Sequence, residues 1–229
     1  MSTTNLTCYM CNNPATSKEH APPKALFPKD ERFRKNLIKV PSCEKHNQEL
    51  SNSDQILFQL LVVQHIIGNE PFKILSQQYL NKKSINYSRK INTLVNKIEK
   101  VTPVLLVNNV TGEHTQTGMI ELNNSIRSFY SSLEKLGCAL YFHEFKKKLI
   151  GNFFTHLDIL VKKDEMVTNV QNLYNLSTQI MDQYKISFKG ENPEVFQYRI
   201  LETKNMSNVV IIEFLFYQNI RGIFKYTDS

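Results

Sequence analysis

Four side chains able to bind a metal ion come in two short pairs. Cys8-Tyr-Met-Cys11 has the two-residue spacing that lets two thiolates meet one tetrahedral ion. Cys43-Glu-Lys-His46 has the i, i+3 spacing that puts a thiolate and an imidazole on one face of a helix. Together they make a Cys3His zinc site, with residues 12–42 as an insertion between its halves. Pro14, Pro22, Pro23, Pro28 and Pro41 crowd this part of the chain, so it reads as loop-rich with little core of its own. A metal staple would carry the fold of such a segment.

A second set of chemical groups lies around the first. Ser17-Lys-Glu19-His20-Ala-Pro-Pro23 sits inside the insertion, and Asn47 directly follows His46.

At these positions the sequence resembles the HNH nuclease family, the ββα-metal fold. The likeness is carried by Cys8, Cys11, Glu19-His20, Pro22-Pro23, Val40-Pro-Ser-Cys43, His46 and Asn47, and it covers about 40 of the 229 residues. It is to the branch in which zinc-binding pairs staple the unit and the last motif residue is Asn. A weaker likeness joins Arg127 to Leu149 with the region that follows the motif in bacterial HNH proteins without assigned function. The resemblance implies an N-terminal ββα-metal unit of treble-clef-like zinc type. It implies that His20 is the general base for phosphodiester hydrolysis, with Glu19 and Asn47 as oxygen ligands of a catalytic Mg²⁺ or Mn²⁺. Cys8, Cys11, Cys43 and His46 would hold a separate structural zinc.

Two points depart from the family, the first being that it often has Cys where His46 stands, although His is an accepted zinc ligand. The middle Asn of the motif has no counterpart, because Ile38 stands there and Asn36 lies two residues upstream. Adjacent strand residues point to opposite faces; the family solves this with an irregular loop between its two strands, so the resemblance implies Glu19 and His20 in such a loop, with Pro22-Pro23 stiffening its exit. A different ligand choice would put His20 on the zinc with the three cysteines and leave His46 for the catalytic ion.

Charge separates the chain into unequal parts. Residues 1–100 contain all of the formal +7 excess, and residues 101–229 balance to zero. A basic part joined to a neutral part is the footprint of a polyanion binder, and the family resemblance implies DNA more than RNA as that partner. Lys greatly outnumbers Arg, so backbone contacts should outweigh base reading. Excluded are a Walker loop, a Rossmann glycine pattern and a nucleophilic Ser motif, for which seven glycines leave little room. The longest apolar runs, such as Ile56 to Ile67, are too short and too interrupted to span a bilayer. The start shows no basic stretch followed by an apolar one, so a cytoplasmic location with reduced thiols is expected.

The elements that must position these groups follow from periodicity. The fold class expected is α+β, in three parts: a zinc-stapled nuclease unit at 1–50, a basic helical segment at 51–100, and an α+β domain with antiparallel strands at 101–229. Asn36 to Val40 reads as a short strand and Cys43 to Leu50 as the start of a helix. Ser53 is the expected N-cap of an apolar helix ending near Gly68. Pro71 opens a helix to about Leu80, and Ser84 caps a third with Ile91, Leu94, Val95 and Ile98 as its stripe. Val101-Thr-Pro103 is expected to break the chain before a hairpin of Val104–Val107 and Gly118–Leu122. Helices are expected at 125–140 and 164–184, and strands at 152–161, 194–202, 208–217 and 220–226. Glu113-His114 reads as a turn, His65 as a core histidine, Cys138 as a small packing residue, and Lys146-Lys-Lys148 as a solvated face.

The function expected is a metal-dependent endonuclease, with host defence against foreign DNA as its setting by family habit. The alternative is a non-catalytic zinc protein that binds nucleic acid or a partner. On either reading residues 101–229 are expected to serve regulation, a protein partner or homodimerisation.

Overall fold

Strands buried on both faces read as continuous apolar runs, and Val209–Phe216, the sequence VVIIEFLF, is one of them. It lies inside a five-stranded antiparallel sheet of the computed structural model, which describes residues 6–62, 69–79, 96, 98–107, 114–122, 126–159, 167–203 and 208–228. The protein is α+β with antiparallel sheets throughout.

In chain order the elements are β1 (Ser17–His20), β2 (Lys39–Ser42), α1 (Glu44–Val62), α2 (Glu70–Tyr79), β3 (Ile98–Val107), β4 (His114–Leu122) and α3 (Ile126–Phe145). Then come β5 (Asn152–Leu157), α4 (Val167–Gln183), β6 (Lys189–Asn192), β7 (Phe196–Thr203), β8 (Val209–Phe216) and β9 (Ile220–Thr227). The large sheet has the order β5-β9-β8-β7-β6.

The period of two along β8 and β9 sends alternate side chains to two different helices. Ile212, Phe214 and Phe224 join the core that includes Leu133, Leu136 and Leu140 of α3. Ile211 and Ile223 instead pack with Tyr174 and Met181 of α4. Gly137 permits the close approach of α3, since a Cβ there would lie 2.2 Å from the Phe224 ring. Neighbouring Cys138 and Ala139 are buried, in keeping with a small-residue contact. On the α4 face, buried Arg199 donates from Nε to Glu213 Oε2 at 2.6 Å and from Nη1 to Asp182 Oδ1 at 2.5 Å. The buried charge is thereby paired.

The N-terminal part is built on β1 and β2, an antiparallel pair with Glu19 opposite Val40 and His20 opposite Lys39. Two short 3-10 turns, Lys24–Leu26 and Glu31–Phe33, fill the proline-rich connection. Asp30 caps the second by accepting from the Arg32 backbone N–H. Helix α1 follows β2 at once and lies against α3 through Ile56, Leu57, Leu60 and Leu61. Asn69 caps α2, its Oδ1 accepting from Phe72 N at 3.2 Å, while its Nδ2 donates to the carbonyls of Glu194 and Tyr217.

Hydrogen bonds to backbone tie the N-terminal unit to the large sheet. Asn192 exchanges two with Lys35, at 2.7 and 3.0 Å, and buried Tyr217 donates to the Leu26 carbonyl. Lys148 donates to Cys11 O at 2.6 Å and to Thr7 and Asn12 side chains, so this lysine secures the cysteine knuckle instead of facing solvent. One hydrophobic core runs from Cys8 to Tyr226.

Several local expectations change. The boundary at residue 50 falls inside α1, which passes through Ser53 without a second start. The expected end near Gly68 and most of the helix from Ser84 lie outside the described residues, as do His65 and the turn at Thr111-Gly112. Ile98 and the supposed break at Val101-Thr-Pro103 belong to β3. Pro103 is tolerated there because β3 and β4 form a two-stranded sheet, in which each strand has a free edge. His114 opens β4 and is not in a turn, and β6 was not anticipated. Among the described residues no helix is long and apolar enough to cross a membrane.

Candidate metal centre and adjoining cleft

The knuckle at Cys8–Cys11 is shaped by its backbone. Cys8 N donates to Asn13 O at 2.9 Å, Tyr9 N to Pro41 O at 2.8 Å, and Met10 N points at the Cys8 sulfur. The second half-site sits at the start of α1, where Cys43 O accepts from Asn47 N at 3.0 Å and His46 lies in the first turn. Donors from the helix start, led by the His46 backbone N–H, hold the Cys43 thiol below its ordinary pKa of 9.0.

These elements bring Cys8, Cys11, Cys43 and His46 together, with one donor atom from each inside 4.8 Å of the others. Cys8 Sγ is 3.3 Å and Cys43 Sγ 3.5 Å from His46 Nδ1, and the Cys11 and Cys43 sulfurs are 3.8 Å apart. Zinc–sulfur and zinc–nitrogen bonds at tetrahedral angles require edges of about 3.8 Å between sulfurs and about 3.6 Å from sulfur to nitrogen. The three edges lie within about 0.3 Å of these values, so this cluster could hold a metal ion such as zinc. His46 completes the group and His20 stands outside it, which decides between the two ligand choices left open by the sequence.

Beside the cluster lies a cavity of about 620 Å³, and Glu19, His20 and Asn47 all line it. Glu19 and His20 both lie in β1, not in an irregular loop. His20 is the last residue of that strand, and the cavity reaches both faces at the strand's end. Asn47 donates from Nδ2 to Ser17 Oγ at 3.0 Å, which leaves its Oδ1 as an unused acceptor.

Glu19 is the most perturbed acid. Burial first, and then the charge of Asp54, push its carboxyl from an ordinary 4.5 up to about 7. Its Oε1 accepts from the hydroxyl of fully buried Tyr9 at 3.4 Å. Its Oε2 is buried without a well-formed hydrogen bond to a described residue, and the Ser42 hydroxyl offsets part of the shift. Burial likewise raises Asp54 to about 6, although Ser132 donates to its Oδ1 at 2.7 Å. Buried Lys135 offsets both carboxylates. His20 is shifted the other way. Burial lowers its pKa, helped by the charges of Lys39, Lys24 and Arg34, so the imidazole is neutral at pH 7.

Three contributors escaped the sequence reading. Asp54 lines the same cavity as Asn47 and follows it by two helical turns on α1, a spacing that could have revealed it. Tyr9, inside the knuckle, and Lys135, on α3, reach Glu19 only through tertiary contacts. His143 and Glu144 do not line this cavity. They border a separate one of about 430 Å³, where Glu144 accepts from Lys189 and Tyr198.

No protein-family model, no curated protein and no solved structure matches the chain.

Proposed function

We propose that the protein is a metal-dependent endonuclease of HNH type that hydrolyses phosphodiester bonds in DNA. The observation that carries this reading is the convergence of Glu19, His20 and Asn47 on one cavity beside the Cys3His cluster. On this reading β1, β2 and α1 form the ββα-metal unit, and zinc at Cys8, Cys11, Cys43 and His46 ties the start of α1 to the knuckle. The same helix start then presents Asn47 to the cavity.

The donor set of the cavity fits a hard divalent cation. Glu19 has a buried oxygen without a well-formed hydrogen bond to a described residue, and the Asn47 amide oxygen accepts no hydrogen bond from a described residue. Glu19 and Asn47 would hold Mg²⁺ or Mn²⁺, and Asp54 lines the same cavity. Bound there, such an ion would supply Lewis-acid stabilisation of charge on the phosphate and on the leaving oxygen. His20 takes a proton from water as the water oxygen bonds to phosphorus, and the bond from phosphorus to the leaving sugar oxygen breaks. A neutral, half-buried imidazole is suited to that role. Tyr9 orients the Glu19 carboxylate through its hydroxyl.

The test is nicking of supercoiled plasmid by purified protein with added Mg²⁺ or Mn²⁺. His20→Ala should lose ~10²- to 10⁴-fold in rate, the usual worth of a general base, while keeping its zinc. Normal cutting by a zinc-replete His20→Ala protein would overturn the mechanism. A protein that binds DNA but never cuts it would point instead to a non-catalytic zinc module.

A further inference from the structure

The cavity carries charges of both signs. Two acids, Glu19 and Asp54, and four cations, Lys18, Lys24, Lys29 and Arg34, are among its lining residues. None of these four cations forms an ion pair with a described residue. Arg34 is held in place, because its Nη2 donates to the Phe27 carbonyl at 2.7 Å. Its Nε is buried and has no partner. A fixed guanidinium with an unused buried donor is matched by an anion with several oxygens, such as a phosphate. The lining is braced as well, since Lys29 N donates to Gln78 of α2 at 2.9 Å.

The remaining lining is apolar. Phe27, Phe58, Leu75 and Pro23 form a concave surface next to these cations. The volume, about 620 Å³, falls in the ~300–1,000 Å³ range of pockets that enclose a small molecule. A paired duplex keeps its bases stacked inside and shows such a pocket only its sugar-phosphate edge. An unpaired nucleotide offers both a phosphate and a free aromatic face, and base contact with aromatic side chains is worth ~1–3 kcal/mol per base.

We propose that this cavity takes one unstacked nucleotide, with its phosphate on Arg34 and Lys24 and its base on the apolar surface of Phe27, Phe58 and Leu75. The substrate is then a DNA strand with an unpaired nucleotide at the site of cleavage. This rests on the nuclease reading for the identity of the ligand, and its test separates the two.

The experiment uses full-length, zinc-loaded protein and three labelled DNAs: a single strand, a fully paired duplex, and the same duplex with one unpaired nucleotide. Binding is read by fluorescence anisotropy on His20→Ala protein without added Mg²⁺, and cleavage on the unaltered protein with Mn²⁺. The single strand and the interrupted duplex should bind and be cut about tenfold or more better than the paired duplex. Arg34→Ala should weaken single-strand binding about tenfold at unchanged zinc content, and should reduce the salt slope by roughly 0.7, the value of one phosphate contact on a single strand. Arg34→Lys should restore part of the affinity. Equal binding and cutting of paired duplex overturns the nucleotide pocket and leaves the nuclease standing. So does single-strand binding that is indifferent to Arg34→Ala. Arg34-dependent preference for the single strand with no cleavage of any DNA supports the pocket and overturns the nuclease.

Discussion

Glu19 carries a penalty that can be measured without any substrate. Its carboxyl ionises near 4.5 when the chain is unfolded and near 7 when folded, because burial and Asp54 oppose its charge. Between those values the folded state holds the extra proton, so stability from this group is complete below pH 4.5 and is lost as pH rises through 7. Glu19→Gln replaces the acid with a neutral group of the same shape, so it should remove the penalty. At 1.36 kcal/mol per decade of proton affinity, the variant should gain roughly 3 kcal/mol near pH 8 but only roughly 1.5 kcal/mol near pH 5.5. In a chain of 229 residues this raises the melting temperature by roughly 6–12 °C near pH 8 and about half as much near pH 5.5. Calorimetry on both proteins at both pH values, with zinc but no other divalent ion, reads this directly. Adding Mn²⁺ near pH 8 should stabilise the unaltered protein and not the variant, because the cation would take up the charge that burial penalises. A melting temperature that falls near pH 8, or a gain of equal size at both pH values, would refute the reasoning.

The metal cluster and the large sheet give two further expectations. Elemental analysis should find near-stoichiometric zinc in the purified protein, lost in Cys43→Ala and His46→Ala but kept in His20→Ala; full retention in Cys43→Ala would reject the ligand set. Arg199→Met strands the buried Glu213 carboxylate and should cost ~3–5 kcal/mol in urea unfolding, most of it recovered when Glu213→Leu is added.

Local order carried much of the information. Two pairs at short spacing can be read as half-sites because a knuckle and a helix turn each set their own geometry within four residues, and Cys8, Cys11, Cys43 and His46 do meet. Strands β7, β8 and β9 were legible for a similar reason. Their apolar runs are dense, short and bounded by turns, and connections this short can join only antiparallel neighbours. Helix α2 was legible from Pro71, which suits the first turn of a helix.

What failed locally failed because a distant partner changed the balance. Ser53 has the chemistry of a cap, yet α1 starts ten residues earlier, where β2 hands the chain to Cys43 and His46 falls in the first turn. Pro103 looks like a break, but a two-stranded sheet leaves it an edge position. Lys148 looks solvated, yet it closes on the knuckle across the molecule.

The sequence by itself determined the donor atoms: three thiolates and an imidazole at metal spacing, a carboxylate beside a histidine, and an amide one residue past the last ligand. Those are properties of residue types and of short-range backbone geometry. Only the tertiary structure decided how these groups are tuned. It assigned His46 to the cluster and left His20 outside it, and it set Glu19 between Tyr9, Asp54 and Lys135 from three different elements. It also left one oxygen of Glu19 and one nitrogen of Arg34 buried without well-formed hydrogen bonds to described residues. Burial and the charges of remote neighbours shift these groups, and both depend on which segments pack together rather than on which residues are adjacent in the chain.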